Sequence, residues 1–85
     1  MMFSRESLES AQAVVRAAMP ATPQQRWPLL DQQVGASVWV KHENHTPTGA
    51  FKVRGGLVYF EALRQREPGC TGVVSATRGN HGQSV

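Results

Sequence analysis

Apolar residues recur at helical spacing near the start of the chain. Leu8, Ala11, Val14, Val15 and Ala18 fall on one face and Ser4 stands where an N-cap belongs, so a helix is predicted over 4–18. Pro20 and Pro23 end it, and because each proline also restricts the residue before it, residues 20–28 are expected to be extended and loop-like. The pattern then changes. Ser37-Val38-Trp39-Val40-Lys41 is apolar on successive positions, as a strand buried on both faces is. After a turn over 44–49, Val53, Leu57 and Phe60 return to helical spacing, predicting a second helix over 50–66. Gly55-Gly56 interrupts that helix at about 1 kcal/mol per glycine relative to alanine, which implies that something packs closely against that turn. Pro68-Gly69 breaks the helix, Gly72-Val73-Val74-Ser75-Ala76 supplies a second buried strand, and residues 79–85 begin a third helix. This order predicts an α/β fold with parallel strands and flanking helices. No internal repeat, low-complexity tract or linker divides the chain.

Composition narrows the classes of function. The 85 residues suffice for one small domain, but a chain of this size buries only about 60% of its unfolded surface. A helix that barely begins at 79 leads us to expect the front part, residues 1–85, of a longer domain. Hydrophobic residues make up 40%, with no apolar run near the roughly 20 residues that span a bilayer, so no membrane partner is expected. The net charge of +3 is spread over scattered basic residues, with only Lys52 and Arg54, and Arg64 and Arg66, lying close together. That distribution argues against a nucleic-acid partner. Arg5, Glu6 and Glu9 leave the N-terminus without the apolar centre of a signal peptide. A single cysteine, Cys70, permits no internal disulfide, which fits a cytoplasmic protein, and no activating partner flanks it. His42 and His45 have ligand-like spacing, but beyond Glu43 nothing completes a set, so no metal is expected. Trp27 and Trp39 read most simply as packing residues. Arg54 has Glu43 and Glu61 as alternative ion-pair partners.

The informative chemistry lies in two loops. Lys52 sits in Pro47-Thr48-Gly49-Ala50-Phe51-Lys52-Val53-Arg54-Gly55-Gly56, just after a Pro/Gly turn and at the start of a helix. The second loop is Thr77-Arg78-Gly79-Asn80-His81-Gly82-Gln83. In a parallel sheet, ligands collect at the carboxyl ends of strands, which is where both loops are expected, facing one cleft. Backbone amides of Gly79, Asn80 and His81 at a helix start suit a carboxylate or phosphate. A lysine amine in a partly dry pocket loses proton affinity and becomes a nucleophile able to form a Schiff base with a carbonyl. Each loop alone has a plainer reading, a solvated lysine or a simple strand-to-helix turn; it is their combination that points to a site.

At these residues the chain resembles the pyridoxal-phosphate enzymes of fold type II, the tryptophan-synthase-β type, and within them the serine/threonine dehydratases. The match runs from Thr22-Pro23 through Lys41-His42-Glu43-Asn44 and the Lys52 loop to Ser75-Ala76-Thr77-Arg78-Gly79-Asn80-His81-Gly82-Gln83. The resemblance implies a set of roles. Lys52 would carry pyridoxal phosphate through its amine and later remove the substrate α-proton. Phe51 would pack beside the cofactor ring and Asn80 would hydrogen-bond the ring hydroxyl. Thr77, Gly79, Asn80 and His81 would receive the carboxylate of a hydroxy amino acid. Loss of the β-hydroxyl would then give an aminoacrylate-type product that hydrolyses to a 2-oxo acid and ammonia. A homo-oligomer is expected of the full-length enzyme.

Departures and gaps refine that expectation. Relatives that racemise serine carry a serine just before the Gly-Asn pair; here the position is Arg78, a poor proton acceptor, so elimination with little racemisation is expected. His81 follows the Gly-Asn pair where the β-replacement synthases usually carry threonine. The family's glycine-rich phosphate cup and the partner of the pyridine nitrogen would both lie beyond Val85, so the 85 residues alone are expected to show no turnover. The alternative is a non-catalytic remnant or small binding module of the same fold.

Overall fold

The computed structural model describes residues 3–85, and its first helix begins where Ser4 places it. Ser4 Oγ accepts the Ser7 amide at 3.0 Å while Ser7 Oγ accepts the Ser4 amide at 3.1 Å, a reciprocal cap that opens α1 (Arg5–Ala18). Of the expected apolar face, Val15 is buried, Ala11 and Val14 are half-buried, and Leu8 and Ala18 remain exposed.

The proline-rich stretch is more ordered than its sequence suggests. It contains β1 (Gln24–Arg26) and α2 (Pro28–Val34), followed by β2 (Trp39–Lys41). Pro28 fits the first turn of α2, where its missing N–H is not needed, and Gly35 closes the helix in the left-handed region at φ 76°. Asp31 then joins the two ends of this unit: its Oδ1 accepts the Val38 amide at 2.6 Å and its Oδ2 pairs with Arg26. The Val38 bond, followed by the Arg26 guanidinium, holds the Asp31 carboxyl below its ordinary range.

The sheet does not contain the expected parallel pairing of 37–41 with 72–76. Among the described residues, β1 and β2 pair antiparallel, with Gln25 opposite Val40, and no parallel pair forms. Residues 72–76, expected as a second buried strand, are exposed and carry no strand pairing, with Val74 fully in solvent. A strand takes its hydrogen bonds from a neighbour alongside, and none of the described residues lies there. Trp39, expected to pack, is exposed on β2, and Trp27 is only partly covered.

A short 3-10 turn (Glu43–His45) leads to α3 (Lys52–Arg66), and α4 (Asn80–Ser84) closes the described chain. The buried core is small: Val15 and Met19 of the α1 end meet Val53 of α3, flanked by Leu57 and Val58. The radius of gyration, 16.3 Å, exceeds the ~12 Å of a compact domain this long. The elements therefore surround no single core, and α3, in contact with both α1 and α4, is the axis on which the site is built.

Candidate functional site

The loop before Lys52 is shaped by its own side chains. Thr46, buried, accepts the Ala50 amide through Oγ1 at 3.0 Å and donates its hydroxyl proton to the Ala50 carbonyl at 2.6 Å. The Gly49 amide reaches the Thr46 carbonyl at 3.0 Å, and Gly49 turns the chain with φ 75°, a conformation that costs an L side chain about 1–2 kcal/mol. Phe51, expected beside a cofactor ring, is the N-cap of α3; it offers no side-chain cap and is exposed. Lys52 is the first residue of the helix. Its side chain is exposed, and no carboxylate pairs with its amine among the described residues.

A polar cluster lies two residues on. The Arg54 guanidinium forks onto Glu43, Nε to Oε2 at 2.5 Å and Nη2 to Oε1 at 3.0 Å, and reaches Thr22 Oγ1 at 3.2 Å. Thr22, itself buried, donates to Glu43 Oε1 at 2.6 Å. Of the two partners open to Arg54, the structure selects Glu43, while Glu61 pairs with Arg64 on the exposed face. The Arg54 hydrogen bonds, then that from Thr22, hold the Glu43 carboxyl down at about 2. Both side chains keep under a quarter of their surface exposed, so the pair is less screened than a surface bridge.

The second loop is held against the first through α4. Ser84 Oγ donates to the Lys52 carbonyl at 3.2 Å. The close packing expected at the paired glycines occurs at one of them: a Cβ at Gly56 would overlap Ser84 Oγ, whereas nothing lies within 4 Å of one at Gly55. Thr77 Oγ1 accepts the Gly79 amide at 3.1 Å and the Gly82 amide at 3.0 Å, folding the turn that starts α4. These bonds fill both hydroxyl lone pairs and leave its proton as a donor. A Cβ at Gly82 would overlap the Thr77 methyl, so the turn closes this tightly only around glycine.

Lys52 and His81 thus line one groove of about 700 Å³, with Tyr59, Leu63, Val73 and Ser75 among its walls. Phe51, Thr77, Gly79 and Asn80 do not line it, although Thr77, Gly79 and Asn80 belong to the turn that His81 continues. Two features escaped the sequence reading. The Thr22–Glu43–Arg54 cluster joins residues far apart in the chain, and only Arg54 and Glu43 had been paired as one of two alternatives. The Ser84 anchor had no sequence signal beyond the paired glycines it packs against.

Within the groove the structure therefore brings together the Lys52 amine and His81, with the Thr77–Asn80 turn continuing from His81 outside its lining. Residues 15–85 match the family model described as pyridoxal-phosphate dependent enzyme. The chain is 33% identical over 78 residues to a biosynthetic L-threonine dehydratase of Corynebacterium glutamicum, covering 92% of this chain and 18% of that protein. It is 34% identical over 84 residues to the biosynthetic L-threonine dehydratase of Lactococcus lactis, covering 99% of this chain and 20% of that protein. An L-threonine ammonia-lyase of Thermotoga maritima is 32% identical over 84 residues, covering 99% of this chain and 21% of that protein. The chain therefore spans about a fifth of the length of these relatives. No solved structure matches it.

Proposed function

Since this chain belongs to the pyridoxal-phosphate-dependent enzyme family, we propose that it forms the lysine-bearing part of an ammonia-lyase acting on a small hydroxy amino acid, with threonine or serine as substrate. The observation that carries this reading is Lys52: an amine without an ion-pair partner, on a backbone anchored at consecutive residues, beside a groove it shares with His81. A lysine serving only solubility would need none of that anchoring.

In this reading Lys52 would hold the cofactor, Asn80 would hydrogen-bond its ring hydroxyl and Phe51 would pack beside the ring. When bound, pyridoxal phosphate supplies an electron sink for the pair left at the substrate α-carbon. Lys52 Nζ takes the α-proton. The Thr77 hydroxyl, free to donate, and the amides of Asn80 and His81, not used by Thr77, orient the substrate carboxylate with Gly79 shaping their turn. The β-hydroxyl leaves, protonated to water, as the α-carbon electron pair forms the Cα–Cβ double bond; the released enamine tautomerises to an imine, which takes up one water to give the 2-oxo acid and ammonia. Arg78, exposed and permanently charged, offers no base for reprotonation from the opposite side, so elimination dominates over racemisation. The groove is open and its Val73–Val74 wall exposed, which supports the expectation that residues 1–85 alone give no turnover.

The test is ammonia and 2-oxo acid release from L-threonine and L-serine by the full-length protein, with chiral chromatography of the residual serine. Release that disappears in Lys52→Ala supports the lyase. A full-length protein that binds pyridoxal phosphate but releases neither product supports a non-catalytic module of the same fold.

A further inference from the structure

Three consecutive residues at the start of α3 are each fixed by a different element. The Lys52 carbonyl accepts from Ser84 of α4. Val53 is buried against Val15 and Met19. Arg54 is locked onto Glu43 and Thr22, which flank the β1–α2–β2 unit in the chain on either side. The helix start itself has no side-chain cap and no acidic residue in its first turn. Without these anchors it would fray, since the first amides of a helix have no intrahelical partner. Among the described residues, no partner fixes the amine of Lys52.

We propose that Arg54, held by Glu43 and Thr22, is a positioning residue for the Lys52 amine, so that the cluster serves the reactivity of Lys52 and not the stability of the fold alone. This rests on the reading of Lys52 as the cofactor-bearing lysine and deepens it. The physical reason is register. Arg54 lies two residues from Lys52 on the same helical turn, so a rotation of that turn about the helix axis swings the long lysine side chain by more than its backbone moves. A forked, two-bond contact resists that rotation, whereas a lysine at the same place would keep the charge but supply only a point contact. Ser84 fixes the translation of the same turn, and neither Ser84 nor Arg54 touches the amine.

The experiment uses the full-length protein with Arg54→Lys, and Arg64→Lys as control, because Arg64 forms a comparable pair with Glu61 on the exposed face of the same helix. Competitive acetylation with acetic anhydride, which needs no cofactor, reads the reactivity of the Lys52 amine relative to a free lysine-amide standard in the same solution, because Lys41 itself pairs with Glu43 at 4.0 Å and is not independent of Arg54. Borohydride trapping with pyridoxal phosphate, mapped by peptide mass, reads how fast the cofactor is fixed on Lys52. Thermal melting reads stability. A misplacement near 1 Å is expected to slow trapping in Arg54→Lys by about ten-fold or more. The relative acetylation of Lys52 should change by at least about three-fold, melting should shift by no more than about 4 °C, and Arg64→Lys should match wild type. The proposal is overturned if acetylation and trapping in Arg54→Lys match wild type, or if both change only in step with lost melting temperature. Should wild-type protein fail to trap the cofactor on Lys52, the reading of Lys52 falls. The acetylation ratio still decides whether Arg54 governs the amine.

Discussion

Two stretches meet the same groove and are built in opposite ways. Residues 43–54 are anchored throughout: Thr46 brackets Ala50, Gly49 turns the chain and Arg54 forks onto Glu43 within the stretch, while Ser84, Val15 with Met19, and Thr22 hold Lys52, Val53 and Arg54 from outside it. Residues 69–76 have almost none. The Cys70 thiol contacts the Gly72 carbonyl at 3.3 Å and its amide reaches Glu67, but the valines that follow are exposed and unpaired. The first stretch is a polar loop whose partners are all present among the described residues; the second is an apolar segment whose geometry depends on what lies beside it. The lysine stands on the anchored stretch, and another wall of the groove on the dependent one.

The contrast can be broken at several points. The largest effect is expected at Thr46→Val, which keeps the side-chain shape but strips both bonds to Ala50 from a buried site. It should lower unfolding free energy by about 2–3 kcal/mol in denaturant titration and slow cofactor trapping at Lys52. Next comes Glu43→Gln. The Glu43 carboxyl is lowered from its ordinary 4.5 to about 2, so its contribution is complete above the higher value and is lost as pH falls toward the lower. After discounting for partial exposure, the substitution should cost about 1–2 kcal/mol at neutral pH, and the difference from wild type should shrink on acidification through that window. A pH-independent difference would show that the pair contributes through shape and not charge. Gly49→Ala should cost about 1 kcal/mol through backbone strain. Smallest is Val74→Ser, which removes an apolar side chain fully exposed in this structure and should stay within about 0.5 kcal/mol. A cost of several kcal/mol at Val74 would mean that this valine is covered in the full-length protein, and would sharpen the contrast by identifying residues 69–76 as a segment completed by its surroundings.

These differences also explain what could be read from the sequence. Helix α1 with its Ser4 cap, helix α3, the core of β2 and the turn opened by Thr77 were all legible, because local spacing and capping chemistry determine them. Pairing was not legible. Gln24–Arg26 has no apolar alternation and becomes a strand only because β2 lies alongside, and the direction of that pairing is a tertiary fact. Helix α2 left a usable signal in Pro28 at its first turn and Gly35 just past its end, overshadowed by the surrounding prolines. The apolar run at 72–76 carries the composition of a buried strand, but composition cannot supply a neighbour. At the site, Lys52 and His81 were brought to one groove as expected, whereas the Thr22 contribution to the Arg54 cluster joins positions whose proximity only folding creates.

The most direct test of the central claim is borohydride reduction of the full-length protein with pyridoxal phosphate, followed by peptide mapping of the fixed label. The account predicts one label per chain, on Lys52, lost in Lys52→Ala without loss of folded structure. Label spread over Lys41 and other lysines, or undiminished in Lys52→Ala, would contradict it.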